Sequence, residues 1–354
     1  MKKSDKIKVF FFANIPIKGV ESSYGGATTL AEEILRFLFK EKRIEVKHRP
    51  IRYIWKPKWH LLDHIAWIFK FPFVTREYDV ISIHATWDFT FTTAPIIWLW
   101  ARLMGKRIVY HHFGGDFHKR FDRQSGFIKY ILKKTILNSD VVFFETKMII
   151  KYFKEKGIVE AEWLPNARKS IKKELEEKDY NRRFVFISRV IPDKGVNEII
   201  EAAENLPENY IIDLYGPIDS RYFSENEFEN KNVHYKGALS PKDVNNILDS
   251  YDILLLPTWF FGEGYPGIII EALSLGIPSI STYWNAIPEI IENDYNGKLI
   301  PIKNSGDLEK AILSFDESNY QYYRTNAFKS FENFDSDLVF EKFVNAYLND
   351  RISK

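Results

Sequence analysis

Through the first half of the chain, short apolar runs rich in β-branched and aromatic residues alternate with longer stretches whose apolar positions recur at helical spacing. The runs KIKVFFFAN, YDVISIHA, RIVYHH and DVVFFET read as strands, followed in turn by the helical ATTLAEEILRFLFKE, TTAPIIWLWARLMG, GFIKYILKKTILNS and MIIKYFKEKG. Strands alternating with helices predict a parallel sheet wrapped on both faces, a doubly wound domain. AEWLPNARKS then supplies a short strand and the charged KKELEEKDYNRR a solvated connector, which places a hinge near residues 166–182. Beyond it the pattern restarts. RRFVFISRV, YIIDLYG, VHYKG, DILLLPT and IPSISTY are the strands of a second α/β domain, with VNEIIEAAENL, PKDVNNILDSY and GIIIEALSLG as helices among them. In the closing SDLVFEKFVNAYLNDR, the apolar residues Leu338, Phe340, Phe343, Val344 and Tyr347 predict one face of an amphipathic helix.

A chain of 354 residues exceeds one ordinary hydrophobic core, which agrees with two Rossmann-like α/β domains and a cleft between them. The boundaries fall at 1–168 for the first, 169–335 for the second and 336–354 for the terminal helix. At 45% hydrophobic and 28% charged residues, the composition is that of a folded globular protein. The absence of cysteine excludes disulfides, thiolate nucleophiles and zinc-thiolate sites, and favours a reducing compartment. The N-terminal apolar run is split by Asn14 and Pro16 and reads as a strand rather than a leader. No run reaches the roughly 18 apolar residues that span a bilayer, so a soluble or surface-bound protein is expected.

Charge divides the chain. Residues 1–180 hold 34 Lys+Arg against 21 Asp+Glu, a balance of +13, whereas residues 181–354 hold 16 against 27, a balance of −11. A basic first half suits an anionic partner such as a lipid headgroup layer or a diphosphate. Residues 52–76 interleave Trp55, Trp59, Trp67, Phe69, Phe71 and Phe73 with Lys and Arg. That mixture fits an interfacial segment, with rings at headgroup level, and equally a core helix with a basic edge. No nucleic-acid-binding module accompanies these residues, so nucleic acid is not an expected partner.

Ligands of parallel sheets bind at the carboxyl ends of strands. There Arg189 follows the strand FVFIS and Lys194 precedes the next helix, where the helix dipole and free N–H groups reinforce their charge towards a diphosphate. In GEGYPGIIIEALSLGIPSI, a turn from Gly262 to Gly267 opens a helix, Glu263 stands in the turn, and Glu271 lies about one turn inside. Each carboxylate alone could be a cap or a surface ion pair. Together with the glycine-rich turn they suit hydroxyl groups of a sugar.

Taken in order, Arg189, Lys194-Gly195, Asp252 through Thr258, Glu263 and Glu271 eight residues apart, and Ala272-Leu273 with Gly276 and Pro278 resemble the retaining glycosyltransferases of family 4, which have the GT-B fold. Gly25-Gly26, Asp79-Val80-Ile81 ending in His84, Leu164-Pro165-Asn166 and Asn296-Gly297 extend the resemblance over nearly the whole chain. The resemblance implies two Rossmann-like domains and a C-terminal helix that crosses back to the first. It also implies a nucleotide-sugar co-substrate, UDP- or GDP-linked, in place of a tightly bound cofactor or metal. Arg189 and Lys194 would bind the donor diphosphate, Glu271 the ribose and Glu263 the transferred sugar, with Gly264, Tyr265, Pro266 and Gly267 around sugar and phosphate. Gly25 and Gly26 would approach from the first domain, and the base would lie near Gly216 and Leu239. The acceptor would be a lipid-linked or other glycan, at the cytoplasmic face of a membrane.

One position departs from the family pattern. In KRIVYHHFGGDF, Phe113 occupies the place of an expected acceptor-side His. His112 is the candidate catalytic replacement, with His84, His111 and Asp116 on the acceptor side; hydrogen-bonded core histidines are the plain alternative. The cluster lacks the spacing of a metalloenzyme motif. Asp335-Ser336-Asp337 reads as a helix cap rather than a metal-binding Asp-x-Asp. Two other functions fit the fold: a nucleotide-sugar epimerase, and a catalytically silent sugar-nucleotide-binding subunit.

Overall fold

In IKVFFF and VISIHA nearly every side chain is buried, which leaves no polar face and suits parallel strands covered by helices on both sides. The computed structural model describes residues 6–17, 25–50, 57–171, 174–228 and 232–352, with the side chains of 57–64 and 349–352 outside that description. Arg52 and Trp55, and the side chain of Trp59, therefore lie outside the described residues. The chain forms two units, Met1–Pro165 with Ser336–Lys354, and Asn166–Asp335.

The first unit runs β1 (Ile7–Phe12), α1 (Gly26–Lys40), β2 (Ile44–Arg49), α2 (Pro57–Val74), β3 (Val80–Ala85), α3 (Trp87–Phe91), α4 (Ala94–Leu103) and β4 (Arg107–His112). It continues with α5 (Phe117–Asp122), α6 (Gly126–Lys134), β5 (Val141–Phe144), α7 (Lys147–Glu155) and β6 (Glu162–Trp163). The sheet has the order β2-β1-β3-β4-β5-β6, and all its pairings are parallel. On one face, Phe10, Phe12, Ile81, Ile83, Ile108 and Tyr110 pack beneath Phe71 of α2, Ile97 and Trp98 of α4 and Leu132 of α6.

The second unit comprises β7 (Arg183–Ile187), α8 (Val196–Ala203), β8 (Ile211–Tyr215), β9 (Val233–Tyr235), α9 (Val244–Asp249) and β10 (Ile253–Leu256). Then follow α10 (Gly267–Ser274), β11 (Ser279–Thr282), β12 (Gly297–Ile300), α11 (Ser305–Leu313) and α12 (Tyr320–Ser330). Its sheet order is β12-β11-β10-β7-β8-β9, again parallel throughout. The order reverses beside β7, and there the loops leaving β7 and β10 meet at the carboxyl ends of the strands, with the Trp259 N–H donating to the Asp193 carbonyl at 2.8 Å.

The last helix, α13 (Ser336–Ile352), belongs to the first unit. Phe340, Phe343, Val344 and Tyr347 are buried as the periodicity predicts, but Leu338 is 60% exposed and Val339 is buried in its place. The apolar stripe thus begins one residue later than the sequence suggests. Phe340 meets Phe37 of α1, and the Tyr347 hydroxyl lies 2.8 Å from Ser82 Oγ of β3. Asp335 precedes this helix and Asp337 stands in its first turn, where the dipole favours a carboxylate.

Candidate functional site

The reversal in the second sheet brings together the residues chosen from the sequence on either side of it. Lys194 closes a single turn, Pro192–Lys194, which ends at Gly195 with φ 81°. A side chain at Gly195 would be strained by that dihedral and would run into the Pro257 carbonyl. The bend turns Lys194 towards the loop after β10. There its ammonium donates to Glu263 Oε2, and both side chains are almost entirely enclosed, at 9% and 11% exposure. Thr258 Oγ1 lies 3.0 Å from the same carboxylate oxygen. Arg189 is exposed; its guanidinium carbon lies 5.4 Å from the centroid of the Phe260 ring, and Lys194 Nζ lies 4.9 Å from it. One aromatic ring thus gathers two cations beside a carboxylate.

The loop that carries Glu263 is held from behind. Asn285 Nδ2 donates to the carbonyls of Phe261 (3.1 Å) and Glu263 (3.2 Å), and Trp284 Nε1 donates to that of Phe260 (2.8 Å). Asn285 adopts φ 47°, a left-handed conformation that asparagine tolerates better than most residues. Gly264, Tyr265 and Pro266 are buried, and α10 begins at Gly267.

Glu271 has a partner of its own. Arg168 Nε donates to Glu271 Oε1 at 2.6 Å, and Arg168 Nη1 donates to Asn166 Oδ1 at 2.7 Å. Asn166 Nδ2 in turn donates to the Tyr265 carbonyl (3.0 Å), and the Tyr265 hydroxyl donates to Glu289 Oε2 (2.5 Å). A Cβ at Gly267 would collide with the Arg168 guanidinium, which explains a glycine at the head of this helix. Sequence reasoning selected Glu271 and missed Arg168, whose partner lies 103 positions away. Gly216, at φ 140°, closes β8 against the Ser188 carbonyl, and Leu239 is half-buried in the loop after β9.

At the strand ends of the first unit the histidines behave differently from the acceptor-side groups expected of them. His84 stacks on Phe11 at 4.0 Å, its Nε2 lies 2.7 Å from Ser82 Oγ, and its Nδ1 lies 3.3 Å from Nδ1 of His111. His111 packs against Phe113 and Phe343. His112 stacks on Phe117 at 4.2 Å, with Nδ1 2.9 Å from the Tyr110 hydroxyl. All three rings are enclosed, with no more than 1% exposure. Burial lowers the pKa of His111 and His112 to about 3 and takes His84 well below the usual range, so all are neutral near pH 7. Their packing makes them core residues backing the loop after β4 rather than groups at its surface.

That loop carries Asp116, which pairs with Arg120, and Arg120 in turn covers the ring of Trp87 at 4.6 Å. Glu145, a buried residue the sequence did not single out, accepts from the Gly114 N–H at 2.9 Å and fixes the Gly-Gly turn. Gly25 and Gly26 open α1, where the Gly25 N–H donates to Thr28 Oγ1 at 3.0 Å. Among the described residues, no group of three or more His, Asp or Glu could hold a metal ion.

Solved structures define the class of fold. Anabaena Alr3699/HepE, determined in complex with UDP, superposes with TM-score 0.76 over 96% of this chain and 99% of its own, at 16% identity. The lipopolysaccharide outer core galactosyltransferase WaaB gives 0.70 over 97% and 100%, at 18% identity. The fold is GT-B, two parallel α/β units, as the resemblance implied.

Residues 167–330, which contain Arg189, Lys194, Glu263 and Glu271, match the family model of the glycosyl transferases group 1. Among curated proteins, the N,N'-diacetylbacillosaminyl-diphospho-undecaprenol alpha-1,3-N-acetylgalactosaminyltransferase of Campylobacter jejuni is 31% identical over 57% of this chain and 54% of its own length. The putative colanic acid biosynthesis glycosyltransferase WcaL of Escherichia coli is 30% identical over 38% and 36%. The chain thus spans about half, or about a third, of the length of these relatives.

Proposed function

We propose that the chain is a retaining glycosyltransferase that moves a hexosyl group from a UDP-sugar to a lipid-linked glycan acceptor, without a metal ion. The observation that carries this reading is the Lys194–Glu263–Thr258 cluster facing Arg189 at the point where the second sheet reverses. Support comes from the group 1 match across that region, from UDP in a structural neighbour, and from a curated relative whose name gives an undecaprenol diphosphate-linked acceptor. In this reading Glu271 holds the ribose, positioned by Arg168, and Glu263 holds sugar hydroxyls. Gly216 and Leu239 border the base, and the turn from Gly264 to Gly267 meets sugar and phosphate. The acceptor is taken by the first unit, with Asp116 at its strand ends.

As the bond between the anomeric carbon and the diphosphate oxygen breaks, negative charge grows on that oxygen. Arg189 and Lys194 stabilise it, the role a divalent cation plays elsewhere. The acceptor hydroxyl attacks the same carbon on the face the phosphate leaves, and its proton passes to the departing phosphate. Configuration is thereby kept. A lipid-held acceptor brings the enzyme to the cytoplasmic face of a membrane as a peripheral protein.

The test is transfer from UDP-sugars to a polyprenyl-diphosphate-linked saccharide, with the product linkage read by NMR and chelator present throughout. Retained anomeric configuration and full activity in chelator are expected, and loss by at least about a hundredfold in Arg189→Ala. An inverted product, or an Arg189→Ala protein with full transfer, would overturn the reading.

A further inference from the structure

Helices α2, α4 and α6 cover the same face of the first sheet, since Phe71, Ile97, Trp98 and Leu132 all enter one core cluster beneath them. α2 packs directly against α4, and Lys106 Nζ donates to the Arg76 carbonyl at 2.7 Å, tying together the ends of those two helices. Side chains on the opposite, outward side of such helices are ordinarily polar. Here they are not. Phe69 and Phe73 of α2 are 69% and 83% exposed, Leu99 and Leu103 of α4 are 51% and 70%, and Phe127 of α6 is 73%. The spacing of four within each of the first two pairs gives neighbouring apolar stripes that look away from the core.

Charge on this face is mostly positive, with Arg102 paired to Asp140 at 2.9 Å. The described turns IAWIFKFPFV of α2, APIIWLWARL of α4 and GFIKYILKK of α6 contain no carboxylate, whereas they carry Lys70, Arg102, Lys129, Lys133 and Lys134. Lys70, Lys133 and Lys134 are exposed. Large contiguous apolar patches are uncommon on soluble monomers and mark surfaces that meet something. Exposed rings and leucines with the exposed Lys70, Lys133 and Lys134 interspersed match the layered chemistry of an anionic bilayer, with an acyl boundary below and negative headgroups at its rim. No described helix is long and apolar enough to cross a membrane, so the contact is one of lying on the surface.

We infer that the outward face of α2, α4 and α6 is the surface by which this protein docks on an anionic lipid bilayer. This rests on the reading that the acceptor is lipid-held, and it names the face that brings the first unit to it. The contact has an apolar part, supplied by Phe69, Phe73, Leu99 and Leu103, and an electrostatic part, supplied by the lysines. The two parts respond differently to salt, because screening weakens only the second.

The experiment is co-sedimentation of the full chain with vesicles of phosphatidylglycerol and phosphatidylcholine, or of phosphatidylcholine alone, beside transfer from UDP-sugar to a short-chain, water-soluble acceptor. Wild type should bind the anionic vesicles, by roughly tenfold more than the neutral ones at low salt, and less as salt rises. The quadruple variant Phe69→Ser/Phe73→Ser/Leu99→Ser/Leu103→Ser should lose about tenfold or more in vesicle affinity, and Lys133→Glu/Lys134→Glu should lose most of the salt-sensitive part. Both should keep the melting temperature and the rate on the soluble acceptor. Equal vesicle binding by the variants overturns the inference while leaving the transfer reaction intact. A wild type that is a dimer in solution, and that the serine variant converts to monomers with no loss on vesicles, overturns it in favour of self-association. Vesicle binding without transfer to any acceptor overturns the reading of function and leaves this face standing.

Discussion

Replacing Glu263 with glutamine removes the counter-charge from a lysine that has almost no water around it. Lys194 would then stand 9% exposed, with the Phe260 ring at 4.9 Å and an amide in place of the carboxylate. Breaking a buried ion pair from one side costs about 3–5 kcal/mol, because the remaining charge keeps its desolvation penalty. The expected loss is therefore about 3–5 kcal/mol, or a drop of roughly 6–20 °C in melting temperature for a unit of this size. Removing both charges, as Lys194→Met with Glu263→Gln, should recover most of that loss, since a buried pair exchanged for neutral groups is often close to neutral in stability. Denaturant unfolding of the two single variants and the double variant gives the coupling energy directly. If the singles cost under about 1 kcal/mol, or the double equals their sum, the enclosed ion pair described above is not the state in solution. The same Glu263→Gln protein separates binding from chemistry: its freed lysine should hold UDP at least as well as wild type by calorimetry, while sugar transfer falls by at least about a hundredfold.

Arg168→Met should raise the KM for the donor by roughly tenfold with a smaller change in kcat, because Glu271 loses the group that aims it, and Arg168→Lys should restore part of the effect; an unchanged KM would deny it a positioning role. Gly195→Ala, at a left-handed dihedral against the Pro257 carbonyl, should lower stability by at least about 1 kcal/mol and weaken UDP binding, measured by thermal shift with and without nucleotide. Acid should destabilise the first unit. His84, His111 and His112 are held neutral by burial, with His111 and His112 at about 3, so the unfolded chain binds more protons as pH falls below about 6.5, and stability is lost from there downwards towards the folded values. Each contributes a slope near 1.4 kcal/mol per pH unit between about pH 5 and 6, above the range where the unfolded carboxylates titrate. His112→Phe should lower that slope by one such increment in urea unfolding followed by tryptophan fluorescence, and an unchanged slope would contradict a neutral, enclosed His112.

Strands with apolar runs on both faces were plain in the sequence, as in VISIHA and DILLLPT. β2 was not, because it is an edge strand in which only Ile44 is buried and IEVKHR otherwise resembles a polar loop. β12, α11 and α12 escaped for a related reason: GKLI is short, and YQYYRTNAFKS carries no clear apolar stripe although Tyr320, Tyr323 and Arg324 are buried. In the candidate site, the residue types and their order pointed to Lys194 and Glu263, and the structure joins them across 69 positions. What the sequence could not give was pairing. That Arg168 belongs to Glu271, that Glu145 holds Gly114, and that three polar histidines are core residues are facts of tertiary packing between distant segments. Among the described residues of the segment 52–76, Trp67 and Phe71 face the core cluster while Phe69 and Phe73 are exposed.

The chain leaves its first unit after Pro165 and rejoins it at Ser336, and the two ends of the intervening unit meet where the Arg168 N–H donates to the Phe334 carbonyl at 2.9 Å. During synthesis, therefore, the first sheet must wait. Phe340, Phe343 and Tyr347, which seal one of its faces, leave the ribosome only after all of the second unit, so the nascent first half presents an uncovered apolar layer for the whole of that interval. The second unit faces no such delay, since it is contiguous and its ends adjoin. Expressed alone over residues 166–335 it is the half expected to fold by itself, whereas the first half truncated at 165 is the one expected to need a chaperone or to aggregate.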